Sequence, residues 1–334
     1  MTDAQSLERS RAMLRTAMGP AIAAALADDE VLEVMVNPDG ILRVDRLGTG
    51  RRDTGERLDQ AQVERIIRLV ASHARSEIDP SAPIVSAELP PHGSGAGERF
   101  EGLLPPVVAG PCFSIRKPAI RLYTLADYVN DGIMTAEEAR LLSLAVAGRR
   151  NILVAGGTSS GKTTLANALL GELAARDERV ILIEDTRELQ CPAPDTVALR
   201  TRRGAVSMGD LVRSTLRLRP DRIIVGEVRG PEALDMLKAW NTGHPGGIAT
   251  VHANGALAAL HRLEQLVQEV LPVVPKRLIA EAIDLVAFIE GRGTARRIGC
   301  LAAVEDVDRA GNYAIRMLAN GNPGSPLQMR QIGA

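Results

Sequence analysis

Apolar residues follow two regimes along this chain. Up to about residue 112 they alternate with polar positions or recur at helical spacing. From Thr135 onward they gather into short unbroken runs separated by helical stretches. The alternation over 31–36 predicts a half-buried strand, Asn37 to Gly40 a turn, and 41–45 a second strand, together a hairpin. A helix is predicted to start near Asp59, because Val63, Ile66, Ile67 and Val70 fall at i, i+3, i+4 and i+7 and share one face. Residues 90–97, rich in glycine and proline, read as a loop, and 114–118 (Ser-Ile-Arg-Lys-Pro) open a linker. Arg9, Arg11 and Arg15 precede a run of small and apolar residues over 17–27 that mimics a signal peptide; it reads instead as a small-residue helix ending at Asp28. The change of pattern predicts an N-terminal α+β domain over 1–112, a linker over 113–134 and an α/β domain over 135–334.

In the larger domain the runs 151–155, 180–183, 222–225 and 247–252 are predicted strands of a parallel sheet with helices on both faces. Three of them end on polar residues: Glu184 and Asp185, Gly226 and Glu227, and His252. Open α/β sheets bind ligands outside the carboxyl ends of their strands, so these ends form one constellation.

The run 151–155 leads into Gly156-Gly157-Thr158-Ser159-Ser160-Gly161-Lys162-Thr163, a full match to G-x-x-x-x-G-K-[ST], and a helical pattern follows from Thr164. Gly157, Thr158, Ser159, Ser160 and Gly161 would turn backbone N–H groups toward phosphate oxygens, and Thr164 opens the helix that completes the cradle. Lys162 would reach the β- and γ-phosphates and Thr163 would place its hydroxyl on Mg²⁺. Only four of the 40 basic residues are lysines, and one stands here. No Asn-Lys-x-Asp base-reading motif occurs, which sets GTP aside and leaves ATP with Mg²⁺.

Hydrolysis needs a carboxylate to orient water and groups that spread phosphate charge. Glu227 follows an apolar run where a Walker B acid belongs and is expected to orient the attacking water. Glu184 and Asp185 are expected to hold the metal, partly through its waters. His252 would donate to the γ-phosphate. His244, in the glycine-rich turn 242–247, reads as a switch rather than a ligand, while His73, His92 and His261 read as structural or surface residues. An arginine finger would come from Arg99 or Arg116, the favoured pair, or from Arg200, Arg202 and Arg203.

The bulk composition narrows the classes. A net charge of −1 and seven aromatic residues argue against a nucleic-acid motor, and no sequence-specific nucleic-acid binding is expected. Cys112, Cys191 and Cys300 fit no zinc spacing and suggest a reducing compartment. No run of 18 apolar residues exists, so no transmembrane helix is predicted. A nucleotide switch that never hydrolyses has no need of Glu227, and no substrate lid for a small-molecule kinase is evident.

The order of these boxes resembles the secretion-superfamily ATPases, above all the conjugative type IV secretion group. The boxes are 156–164, an aspartate box at 183–189, an atypical Walker B at 216–229 carrying Gly226-Glu227, and a histidine box at 242–254. The resemblance spans about 31–306. It implies a hexameric ring with the N-terminal domains in one tier and RecA-like P-loop domains in the other. Nucleotide would lie at the interdomain junction near Arg116, with Arg99 a candidate trans-acting finger. It further implies a cytoplasmic ring docked peripherally at the inner membrane on type IV secretion components, powering pilus assembly or substrate transfer. Type II secretion relatives carry a four-cysteine zinc insert that three scattered cysteines cannot supply. Tight-adherence and other pilus ATPases share the boxes and stay open as alternatives.

Overall fold

The two regimes of apolar patterning fold into two different sheets, one in each of two units, Met1–Ile120 and Arg121–Ala334. The computed structural model describes residues 3–90, 97–118, 122–202 and 204–320. His92 and Arg203, singled out above, lie outside them.

In the first unit, α1 (Asp3–Ala27) breaks at Gly19 (φ 77°), and Pro20 opens its second piece. A first helical position tolerates proline because its N–H would be unpaired there anyway. Leu14, Met18 and Ile22 are buried, so the stretch that mimics a signal peptide packs as a core helix. The predicted hairpin is present as β1 (Val31–Val36) and β2 (Ile41–Arg46). Gly40, at φ 74°, closes the turn by donating its N–H to Asn37 O at 2.9 Å. A third strand, β3 (Gly50–Arg57), is exposed along its whole length. The predicted helix is α2 (Gln60–Ala74); Asp59 caps it by accepting the Gln62 N–H at 2.7 Å, and Val63, Ile66, Ile67 and Val70 are all buried. The strands β4 (Ile84–Glu88), β5 (Arg99–Leu103) and β6 (Cys112–Arg116) complete an antiparallel sheet in the order β3-β2-β1-β6-β5-β4. Residues 113–116, expected to open a linker, are thus sheet. Phe113 and Ile115 alternate inward between β1 and β5, as a half-buried strand requires.

The second unit opens with α3 (Leu125–Asn130) and α4 (Ala136–Ala147), each started by a capping box, Thr124 with Asp127 and Thr135 with Glu138. There follow β7 (Ile152–Gly156), α5 (Lys162–Gly171), β8 (Arg179–Glu184), β9 (Asp195–Arg200), α6 (Met208–Thr215) and β10 (Arg222–Val225). Then come α7 (Glu232–Asn241), β11 (Ile248–His252), α8 (Ala256–Gln268), α9 (Lys276–Ala282), β12 (Leu285–Glu290), β13 (Arg297–Val307) and β14 (Tyr313–Asn320). The sheet order is β14-β13-β12-β7-β11-β10-β8-β9, parallel from β12 to β9, with β13 and β14 antiparallel at one edge. Because successive side chains point to opposite faces, the unbroken apolar runs divide between two cores. Leu153, Ile181 and Ile223 pack under α6, α7 and α8, whereas Val154, Leu182 and Ile224 pack against α4 and α5.

The amino ends of these strands are tied by two buried polar side chains. Asn151 Oδ1 accepts the N–H groups of Gly246 and Gly247, each at 2.8 Å, and its Nδ2 donates to Ala282 O at 2.8 Å. Arg222 is fully buried; it pairs with Glu178 and donates to Val146 O at 2.9 Å and Gly246 O at 3.2 Å. Among the described residues no helix is long and apolar enough to cross a membrane.

Candidate active site

Parallel registry sets the carboxyl ends of β7, β11, β10 and β8 side by side. Gly156 faces His252, Ala249 faces Val225, and Val225 faces Ile183. The loop after β7 leaves that edge through two left-handed residues, Ser159 (φ 61°) and Gly161 (φ 97°), before α5 begins. Gly156 has no room for a side chain, since a Cβ there would meet Ile289 O and Ser160 Oγ, each at 2.5 Å. Lys162 is 7% exposed, and its ammonium reaches back across the loop to Gly157 O at 3.0 Å. The anion cradle therefore has its shape, its helix N-terminus and its buried cation in place.

The carboxyl ends close a chain of polar contacts around that cation. His252 presents Nδ1 at 3.2 Å and Nε2 at 3.4 Å to Lys162 Nζ. Its Nε2 also lies 2.8 Å from Glu227 Oε1. Burial first, then the Lys162 ammonium, holds the imidazole below its ordinary pKa, with Glu227 pulling partly the other way. Lys162 has donors only, so the nearer Nδ1 is assigned as the bare nitrogen, which leaves the proton on Nε2. That 2.8 Å approach lacks hydrogen-bond alignment, so the buried Glu227 Oε1 keeps an unfilled acceptor. Glu227 Oε2 lies 3.3 Å from Arg229 Nε. Arg229 donates to Asp185 at 2.9 Å, and Asp185 accepts the Thr201 hydroxyl at 2.9 Å.

The aspartate box divides its acids differently from the expectation. Glu184 is 4% exposed and turned inward; its Oε1 accepts the backbone N–H groups of Glu188 (2.9 Å) and Leu189 (2.8 Å). Burial pushes its carboxyl up to about 7, against those two hydrogen bonds. The carboxylate facing the Thr163 hydroxyl is that of Glu188, at 3.3 Å. Asn167 on α5 holds the segment in place by donating to Glu188 O at 3.0 Å and accepting the Gln190 N–H at 2.9 Å. Glu188 was not singled out in the sequence, although it shares a box with Glu184.

The remaining candidates separate. Arg99 and Arg116 are direct register partners on β5 and β6 of the first unit. Arg200 ends β9 as the register partner of Glu184, and Arg202 bridges to Val206. His244 precedes β11 and His252 ends it, so the two histidines of one box lie at opposite ends of a strand. His73 lies on α2, and His261 lies on α8 with its ring 6.1 Å from that of Tyr313.

Comparison with known proteins gives the family and the fold. The family described as Type II/IV secretion system protein matches residues 56–289. Conjugal transfer protein TrbB of Rhizobium radiobacter is 49% identical over 300 residues, covering 89% of this chain and 91% of its own. Type IV secretion system protein PtlH of Bordetella pertussis is 37% identical over 312 residues, covering 82% of this chain and 90% of its own. Among solved structures, the pilus retraction motor PilT with bound ADP matches in fold, with a TM-score of 0.61 at 16% identity over 89% of this chain and 80% of that one.

Proposed function

The chain belongs to the Type II/IV secretion system protein family, and from that footing we propose that it is the ATP-hydrolysing motor of a conjugative type IV secretion system. It works as a hexameric ring, docked peripherally on inner-membrane secretion components. The observation that carries this reading is the convergence of Lys162, His252 and Glu227 on one phosphate loop at the carboxyl edge of a RecA-like sheet.

Lys162 swings from Gly157 O onto the β- and γ-phosphates, joined by the N–H groups of 157–161 and the start of α5. Glu227, with an acceptor unfilled at Oε1, takes a hydrogen bond from the attacking water and aligns it. His252, held neutral, donates a hydrogen bond from Nε2–H to the γ-phosphate and keeps its proton. Arg229 steadies the outer oxygen of Glu227 and links it to Asp185.

Mg²⁺ fits the oxygen pair made by the Thr163 hydroxyl and the Glu188 carboxylate, since this ion binds through few protein oxygens and completes its shell with phosphates and water. When bound it neutralises charge developing on the phosphates. This moves the metal-facing role expected of Glu184 and Asp185 by a few residues: Glu184 shapes the backbone that presents Glu188, and Asp185 anchors Arg229. Arg116 serves as a nucleotide-binding residue and Arg99 as the trans-acting finger.

ATPase rate and mass by light scattering, with and without Mg²⁺–ATP, test the reading. Glu227→Gln is expected to bind ATP normally and lose hydrolysis by a factor on the order of 10² or more. Lys162→Ala is expected to lose nucleotide binding as well. Normal turnover in the glutamine variant would sink the assignment of Glu227.

A further inference from the structure

The catalytic acids approach the phosphate loop from the β11, β10 and β8 side of β7. On the other side lie β12 and β13, and from the segment entering β13 one long side chain comes back onto the loop. Arg296 packs its guanidinium directly on Gly161: a methyl group at that glycine would lie 3.0 Å from Arg296 Nε, 3.1 Å from Cζ and 3.4 Å from Cδ. Its Nε is buried and has no hydrogen-bond partner among the described residues. The adjacent Arg297, by contrast, pairs with Glu290 at 2.7 Å. Beside Arg296, the Tyr128 hydroxyl is also buried without a partner. Burial raises the Tyr128 pKa, and the Arg296 charge offsets part of that rise.

A permanently charged guanidinium with a buried, unspent N–H costs free energy wherever no acceptor meets it. Here it packs on Gly161, the residue before Lys162 at the N-terminus of α5, where every other feature favours an anion. The γ-phosphate is held toward Glu227 and His252, so the nucleoside end of the phosphate chain leaves the loop on the opposite flank. We infer that Arg296 is a nucleotide-binding residue that takes the α-phosphate on that flank, a contact shared by ATP and ADP. The inference rests on the ATPase reading above and adds to it a residue that carries no motif.

Binding of fluorescent ADP and of a non-hydrolysable ATP analogue to the full chain tests it, with Arg296→Gln and Arg296→Lys beside Lys162→Ala. Arg296→Gln is expected to weaken both nucleotides by the same factor, about tenfold. Its melting temperature without nucleotide should be unchanged or higher, since the uncompensated N–H is gone, with KM for ATP raised and kcat nearly kept. Arg296→Lys should recover part of the affinity through charge alone. Equal affinity in wild type and Arg296→Gln overturns the inference, as does a loss confined to the ATP analogue, which would place the residue at the γ-phosphate. A fall in melting temperature with affinity retained overturns it too, by making Arg296 a structural strut. A wild-type chain that binds neither nucleotide overturns the ATPase reading and takes this inference with it.

Discussion

Glu184 and Gly226 show how closely the site is cut at the level of single residues. A Cβ on Gly226 would come within 3.0 Å of Glu184 Cγ, so a glycine before Glu227 is what makes room for the buried acid beside it. Glu184 has a folded pKa of about 7 against an ordinary 4.5, so between those values the folded state holds a proton the unfolded state has lost. Its contribution is complete below about pH 4.5 and falls away as pH rises through 7. Glu184→Gln keeps an oxygen for the two backbone N–H groups without the charge. Its stability relative to wild type should therefore climb between pH 5 and pH 8, by up to roughly 3 kcal/mol. Denaturant melts at the two pH values check this. Retained ATPase activity in the same variant would show that Glu184 positions the loop, and abolished activity would return it to the chemistry. These assignments were only half legible in the sequence. The motif marks which acids gather at the sheet edge, but not which turns inward, because that depends on the two N–H groups of 188 and 189 and on Asn167. Arg222 taught the same lesson from the other end of its strand. It opens the strand that leads to Glu227, yet its side chain is wholly buried with Glu178 at the amino end.

At the scale of elements, legibility followed the presence of an apolar face. The helix α2 was predicted from the helical period of its buried face, and the strands β7, β8, β10 and β11 from the unbroken apolar runs that burial on both faces writes into them. The strand β3 has no such face. Its Gly-Arg-Arg-Asp-Thr-Gly-Glu-Arg is an edge that charge keeps from pairing with another chain. The strand β6 alternates correctly but is short, and the proline after it pulled the reading toward a linker. Cap chemistry was visible as well. Asp59→Ala removes the hydrogen bond to Gln62 N–H and should cost about 1 kcal/mol of stability. Urea unfolding of the full chain measures it, and a change below a few tenths of a kcal/mol would mean water or Gln60 replaces the cap.

For the molecule as a whole, the phosphate loop, its carboxylates and Arg296 all belong to the unit Arg121–Ala334. That unit, produced alone, should fold and bind ADP, seen as a rise in melting temperature that Lys162→Ala removes. It should hydrolyse ATP poorly if Arg99 and Arg116 supply transition-state charge. An isolated unit that melts unchanged with ADP would show that the cradle depends on the first unit. One buried side chain bears on how long such a machine lasts. Asn151 joins the entries of β7, β11 and the α9–β12 turn with a single amide. Conversion of that amide to an acid would replace a donor with a charge and undo the joint. Spontaneous deamidation requires the next backbone nitrogen to attack the side-chain carbonyl. Here that nitrogen belongs to the β-branched Ile152 and is committed to Gly247 O at 2.8 Å, inside the sheet. The joint that sets the strands in register is thereby shielded from chemical ageing for as long as the sheet stays folded.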